Sequence, residues 1–276
     1  MSGPPPREIS GRFYFWAVSS LGFLTPIRMH TNSNSFRGSE WLPGDTGKES
    51  DLPHRIKSYV RREGRITVAQ QRALAGSWDR FGLEIGPAAL DPDKLFGRSA
   101  PLVLEIGFGD GESLATMCAT DPGSNFLGIE VHRPGIGHLL LRAAELELAN
   151  LRIIRADAVE VLERYLPDGR LDRAQIFFPD PWPKTRHRKR RLIQPPFAAL
   201  LAQKLKPAGQ LHIATDCESY ARSILDTLLA TPGLTNTAPD NGFAQRPHYR
   251  HPTKFERRGS KLGHSVWEIL FAKLPQ

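Results

Sequence analysis

The sequence predicts an α/β domain built on a parallel sheet, and three observations carry that expectation. From Leu102 onward short apolar runs alternate with helical stretches, the pattern of βαβ units. The first run is followed at once by Gly107, Gly109 and Gly111. Acids then stand at the ends of successive runs, as Glu130, Asp157, Asp180 and Asp216. The length of 276 residues suits one elaborated α/β domain with an appendage. With 40% hydrophobic residues and no apolar run of the roughly 18 residues that a helical span needs, disorder throughout and a bilayer-embedded fold are excluded.

Each element follows in order. Leu102 to Gly107 is the first strand, and Ser113 to Thr120 a short helix after the glycine turn. Asn125 to Glu130 is the second strand, and Pro134 to Asn150 a long helix with proline suited to its first turn. Leu151 to Arg155, the helix Ala158 to Leu166, and Ala174 to Phe178 follow, the last running into Pro179-Asp180-Pro181-Trp182. A helix from Pro196 to Leu205 ends at Lys206-Pro207-Ala208-Gly209, before the strand Gln210 to Thr215 and the helix Tyr220 to Ala230. The strand Ser265 to Ala272 closes the domain.

The domain is expected to span 55–276, opening on a basic arm, 55–75, that contains Arg55, Lys57, Arg61, Arg62 and Arg65. Residues 1–54 read as a disordered or misannotated N-terminal extension, of which residues 1–28 would lie upstream of a translation start at Met29. Phe13 to Leu24 superficially matches the apolar part of a signal peptide, but Leu24-Thr25-Pro26-Ile27-Arg28 offers no small-residue cleavage site. Two cysteines, Cys118 and Cys217, exclude a disulfide scaffold and point to a reducing, cytoplasmic compartment.

Glycine at 107 and 109 lets backbone approach a ligand closely, since a side chain would occupy the ligand's space. The dinucleotide fingerprint G-x-G-x-x-G fails at Glu112, and a pyrophosphate is poorly served by Glu105, Asp110 and Glu112 around the turn. A cationic ligand fits better, and S-adenosylmethionine is such a ligand. Glu130 is placed to accept from ribose hydroxyls and Asp157 from the adenine amine. Each has a plainer alternative, Glu130 as a surface acid and Asp157 as a helix cap.

The loop Pro179 to Lys184 is stiffened by three prolines and holds Asp180 at the cleft beside Trp182, a face on which a base could stack. Thr185 to Arg191 is the steepest cluster of charge in the chain, and its attachment to that loop favours phosphate binding over a solvated helix face. His248 and His251, among Arg246, Tyr249 and Arg250, suggest an RNA-facing patch rather than a metal site, because the surroundings would repel a cation. The overall balance, 37 Lys+Arg against 29 Asp+Glu for a net +8, agrees with a polyanionic partner.

Arg61-Arg62-Glu63-Gly64-Arg65, Glu105-Ile106-Gly107-Phe108-Gly109, Gly128-Ile129-Glu130-Val131-His132, Asp157-Ala158, Phe178-Pro179-Asp180-Pro181-Trp182, Ala214-Thr215-Asp216 and Thr253-Lys254-Phe255-Glu256 together resemble the bacterial tRNA (guanine-N7-)-methyltransferase family over roughly Arg55 to Lys273. The resemblance implies a class I methyltransferase, Rossmann-like fold: a seven-stranded, mostly parallel sheet with one antiparallel strand and helices on both faces. It implies methyl transfer from S-adenosylmethionine to a guanine in the variable loop of tRNA. By the same resemblance Glu105, Gly107, Gly109, Glu130 and Asp157 hold the cofactor, and Asp180 is both cofactor-adjacent and catalytic. Lys184, Asp216, Thr253, Lys254, Phe255 and Glu256 contact substrate, and Arg186, Arg188, Lys189, Arg190 and Arg191 contact RNA. No metal is implied, and the expected assembly is a monomer or homodimer. Two other classes stay open, a non-catalytic RNA-binding protein with this fold and a methyltransferase for another substrate; the intact acids disfavour the first and the basic run the second.

Overall fold

The structure, a computed structural model, describes residues 56–59, 64–260, 263 and 265–275, the side chains of Lys254, Arg258 and Ser260 excepted. The expected extension 1–54 and the Arg61-Arg62-Glu63 stretch of the basic arm lie outside the described residues.

Most of the second half of the expected arm is helix rather than arm. Thr67 caps α1 (Val68–Gly76), its hydroxyl accepting from the Gln70 amide while the Gln70 side chain accepts from the Thr67 amide. The turn α2 (Trp78–Phe81), the two-residue β1 (Gly82–Leu83) and α3 (Pro92–Phe96) lead into the sheet. Then come β2 (Leu102–Ile106), α4 (Glu112–Thr120), β3 (Asn125–Ile129), α5 (Arg133–Glu145), β4 (Leu151–Ile154), α6 (Ala158–Arg164) and β5 (Leu171–Phe177). Beyond a 3₁₀ turn at Thr185–Arg190 lie α7 (Pro195–Lys204), β6 (Leu205–Thr215), α8 (Glu218–Leu229), β7 (Leu234–Asn236), α9 (Lys254–Ser260) and β8 (Trp267–Lys273).

The strands form one sheet in the order β1-β4-β3-β2-β5-β6-β8-β7. Among the described strands β8 is the one that runs opposite to the rest, antiparallel to both β6 and β7. The expected seven strands are therefore present, with β1 added as an eighth at the edge beside β4. β2 and β3 are buried at every position, as strands covered on both faces must be. Leu104, Ile106, Leu127 and Ile129 pack under α6, α7 and α8. Val103, Phe126, Leu151 and Ile153 pack under α1, α2, α4 and α5. β6 starts earlier than expected because Leu205 already pairs with Leu171; Lys206 to Gly209 then form an irregularity before Gln210 resumes the register with Arg173. Among the described residues no helix is long and apolar enough to cross a membrane.

The chain leaves β2 toward β3 on one side and returns to β5 on the other, so a crevice opens at the carboxyl ends of these strands. The first turn of α5 closes on that crevice. A Cβ on Gly135 would lie 1.9 Å from the Gly109 carbonyl oxygen, so only glycine lets α5 pack against the glycine turn.

Candidate active site

A cavity of about 550 Å³ occupies the crevice, with Gly107, Glu130, Asp157, Phe178, Asp180 and Trp182 among its walls. Gly107 and Gly109 turn with φ of 74° and 62°, and a Cβ at Gly107 would meet no protein atom within 4 Å. The Glu130 carboxylate is fixed by three backbone amides: Gly109 donates to Oε2 at 3.0 Å, and Val131 and His132 donate to Oε1 at 2.7 and 3.0 Å. Asp157 caps α6 by accepting from the Val159 amide at 2.9 Å and also lines the cavity, so the cap does not take it away from the crevice.

Glu105 differs from expectation, because it is not among the residues around the cavity. Side chains alternate along β2, and position 105 shares with Val103 the face covered by α4. There Glu105 is 2% exposed and accepts from Gln175 Nε2 at 2.8 Å. Burial pushes its carboxyl up to about 7 against the opposing effects of Gln175 and Arg173.

The Asp180 loop is held from several sides. Phe178 and Trp182 have φ of 52° and 42°, left-handed conformations that cost on the order of 1–3 kcal/mol each in non-glycine residues and need external support. That support comes from the Phe178 amide donating to Ala214 O (2.8 Å), Arg191 Nε donating to Pro181 O (2.8 Å) and Trp182 Nε1 donating to Ser58 O (3.0 Å). Asp180 stays exposed at the cavity mouth.

Two expectations about this region need correction. Arg191 is 5% exposed, with its guanidinium over the Tyr220 ring at 4.6 Å, so it braces the loop from inside and is not on the RNA-facing surface. Trp182 is also engaged: Arg190 lies 5.0 Å over its ring and His187 meets it edge-on at 5.9 Å. Lys184, Arg186, Arg188 and Lys189 are exposed on the turn, while Arg190 is half-buried.

The expected substrate residues divide. Asp216 sits half-buried where β6 ends, and the cap position of α8 belongs to Cys217, with no side-chain cap. Thr253 accepts from the Glu256 amide at 3.1 Å and so starts α9. Phe255, 58% exposed, reaches the Phe178 ring at a centroid distance of 5.5 Å. The Lys254 side chain lies outside the described residues. Glu256 turns inward and is buried, against expectation for a residue that reaches substrate directly.

What holds Glu256 is a buried ionic network. Arg250 donates to both Glu256 oxygens, at 2.6 and 3.0 Å, and through Nε to Glu268 at 2.7 Å. Burial holds the His212 imidazole below its ordinary range, and in that neutral form Nε2 donates to Glu268 (2.7 Å) while Nδ1 accepts from the Tyr249 hydroxyl (3.0 Å). Arg250 and Tyr249 of the expected RNA-facing patch thus bond inward, while Arg250 also lines a cavity of about 650 Å³ with Arg246, His248 and His251. A polar residue inside each apolar strand, His212 between Leu211 and Ile213 and Glu268 between Trp267 and Ile269, was the available sequence signal. Among the described residues no group of three or more His, Cys, Asp or Glu could hold a metal ion.

A mostly parallel sheet with one antiparallel strand, a glycine turn after the first core strand and acids around the crevice define a class I methyltransferase fold. Residues 99–269 match the family model described as a putative methyltransferase. A tRNA (guanine-N(7)-)-methyltransferase of Methylococcus capsulatus is 53% identical over 229 residues, covering 83% of this chain and 99% of the relative. One of Alkalilimnicola ehrlichii is 54% identical over 220 residues, covering 79% and 92%. The crystal structure of the 16S rRNA methyltransferase KamB, 15% identical, superposes with a TM-score of 0.50 over 71% of this chain and 99% of that one, a likeness of fold. The chain belongs to the tRNA (guanine-N(7)-)-methyltransferase family.

Proposed function

We propose that the protein transfers a methyl group from S-adenosylmethionine to N7 of a guanine in the variable loop of tRNA, in the cytoplasm, as a monomer or homodimer. The observation that carries the reading is the make-up of the cavity. Glu130, Asp157 and Asp180 face one volume, and no Lys or Arg is among the described residues around it. Its size, about 550 Å³, lies within the usual range for small-molecule sites. A sulfonium, an amine and ribose hydroxyls suit such walls, whereas a pyrophosphate would face carboxylates with no cationic side chain to offset them.

When bound, S-adenosylmethionine supplies an electrophilic methyl carbon on its sulfonium. Glu130 accepts from the ribose hydroxyls and Asp157 from the adenine amine, while Gly107 and Gly109 leave room for the ligand beside the backbone. Guanine N7 has an in-plane lone pair and no proton, so no general base is required and positioning dominates. Positive charge develops on the purine as the methyl group arrives, and Asp180 at the cavity mouth stabilises it from a loop already rigid before reaction. Lys184, Asp216, Thr253, Lys254 and Phe255 contact the nucleotide. Arg186, Arg188 and Lys189, with Arg190 over Trp182, receive tRNA phosphates.

Titration calorimetry tests the cofactor assignment. S-adenosylmethionine is expected to bind and NAD is not. Binding of NAD alone would overturn it.

A further inference from the structure

Arg191 is a buried cation held by neutral groups. Its Nε donates to the Pro181 carbonyl, its guanidinium lies over the Tyr220 ring, and its Nη2 is buried with no hydrogen-bond partner among the described residues. A guanidinium placed so, with one N–H unpaired, costs the fold desolvation that an apolar chain of similar length would not. Stability therefore does not account for a cation at this position.

What the side chain joins does account for it. Pro181 follows Asp180 directly, so the bond from Nε, 2.8 Å long, holds the loop one residue from the exposed carboxylate. The same bond closes residues 181–191 into a loop that contains the basic turn, with Asp180 just outside its neck. The Arg191 amide donates to Arg188 O at 3.0 Å and so ends that turn. Tyr220, fully buried, belongs to the first turn of α8, four residues beyond Asp216, and its hydroxyl accepts from the Ile193 amide at 3.1 Å. One guanidinium thus meets the Asp180 loop, the turn that carries Arg186, Arg188 and Lys189, and the helix that follows Asp216.

Resting on the tRNA reading above, we propose that Arg191 is a positioning residue for methyl transfer, locking the phosphate-receiving turn and the Asp180 loop onto α8 as one body. A guanosine delivered by phosphates held on the turn then arrives in register with Asp180. Arg186 and Arg188 set tRNA affinity, and Arg191 sets turnover. A planar guanidinium can lie flat on a ring while Nε donates in a fixed direction. A lysine ammonium keeps the charge but not that direction, whereas it would serve nearly as well for simple attraction of a phosphate.

The test measures kcat and KM for unmodified tRNA at saturating S-adenosylmethionine, the salt dependence of tRNA binding, and amide hydrogen exchange at Asp180 and Trp182. The proteins compared are wild type, Arg191→Lys and Arg191→Met. Both variants are expected to lower kcat about tenfold or more, with KM within about twofold of wild type, an unchanged salt slope and faster exchange at both amides. Full turnover in Arg191→Met would overturn the proposal. So would full turnover in Arg191→Lys together with a raised KM and a flatter salt slope in Arg191→Met, the behaviour of a phosphate contact. Methionine spans the Tyr220 ring without burying a charge, so Arg191→Met is expected to melt within a few degrees of wild type. If it does not fold, Arg191→Lys carries the test: lowered kcat at unchanged KM supports the proposal, and full turnover overturns it. Absence of wild-type turnover on tRNA would overturn the functional reading instead, while exchange at Asp180 and Trp182 would still report whether Arg191 holds the loop.

Discussion

Asp180 stands exposed at the mouth of the cavity on a loop whose every turn is braced, by Ala214, Arg191 and Ser58. Because those braces run to backbone carbonyls, Asp180→Ala is expected to lower methyl transfer by about 10²-fold or more while S-adenosylmethionine still binds, measured by calorimetry. Activity within a few-fold of wild type would show that the carboxylate is not catalytic. Glu105 makes the opposite kind of prediction. Below its ordinary pKa of 4.5 the carboxyl is protonated in folded and unfolded chains alike and costs nothing. As pH rises through about 7 the folded protein must ionise a buried group, and stability on the order of 3 kcal/mol is lost. Glu105→Gln should therefore gain on wild type in melting temperature between about pH 5 and about pH 8. A difference that does not change with pH would contradict the assignment.

At the scale of elements, the 3₁₀ turn Thr185–Arg190 sorts its cations by where they point. Arg186, Arg188 and Lys189 face solvent, Arg190 covers Trp182, and Arg191 just beyond is buried. Arg186→Ala with Arg188→Ala should weaken tRNA binding and flatten the log–log salt dependence by about one to two units, measured by filter binding at several salt concentrations. An unchanged slope would remove phosphate contact as their role. The same turn shows where sequence reading stops. Seven neighbouring residues, mostly cationic, look alike in one dimension, and what buries Arg191 is the Pro181 carbonyl and the Tyr220 ring, supplied by other elements. Arg250 is hidden from sequence in the same way, since its partners Glu256 and Glu268 are placed by α9 and β8. By contrast β2, β3 and β4 were legible because burial on both faces demands nearly continuous apolar runs. The helix α1 was not, since only Ala73 and Leu74 are buried and no apolar stripe marks it. Nor were β1 and β7, two and three residues long, which exist only because a neighbouring strand is there to pair with.

Across the whole molecule, charge is sorted by position. The surplus of +8 gathers near the rim, on the turn after the Asp180 loop and on the loop with Arg246, while the cavity between β2 and β5 is walled by acids without a described cation. A polyanion is drawn to the rim and a cationic cofactor to the crevice, and Asp180 stands where the two would meet. The most direct test of that arrangement is incubation of the protein with unmodified tRNA and methyl-labelled S-adenosylmethionine, followed by chemical mapping of the modified base. Label at N7 of a single variable-loop guanine is the predicted result; label on another base or atom, or none with cofactor demonstrably bound, would contradict it.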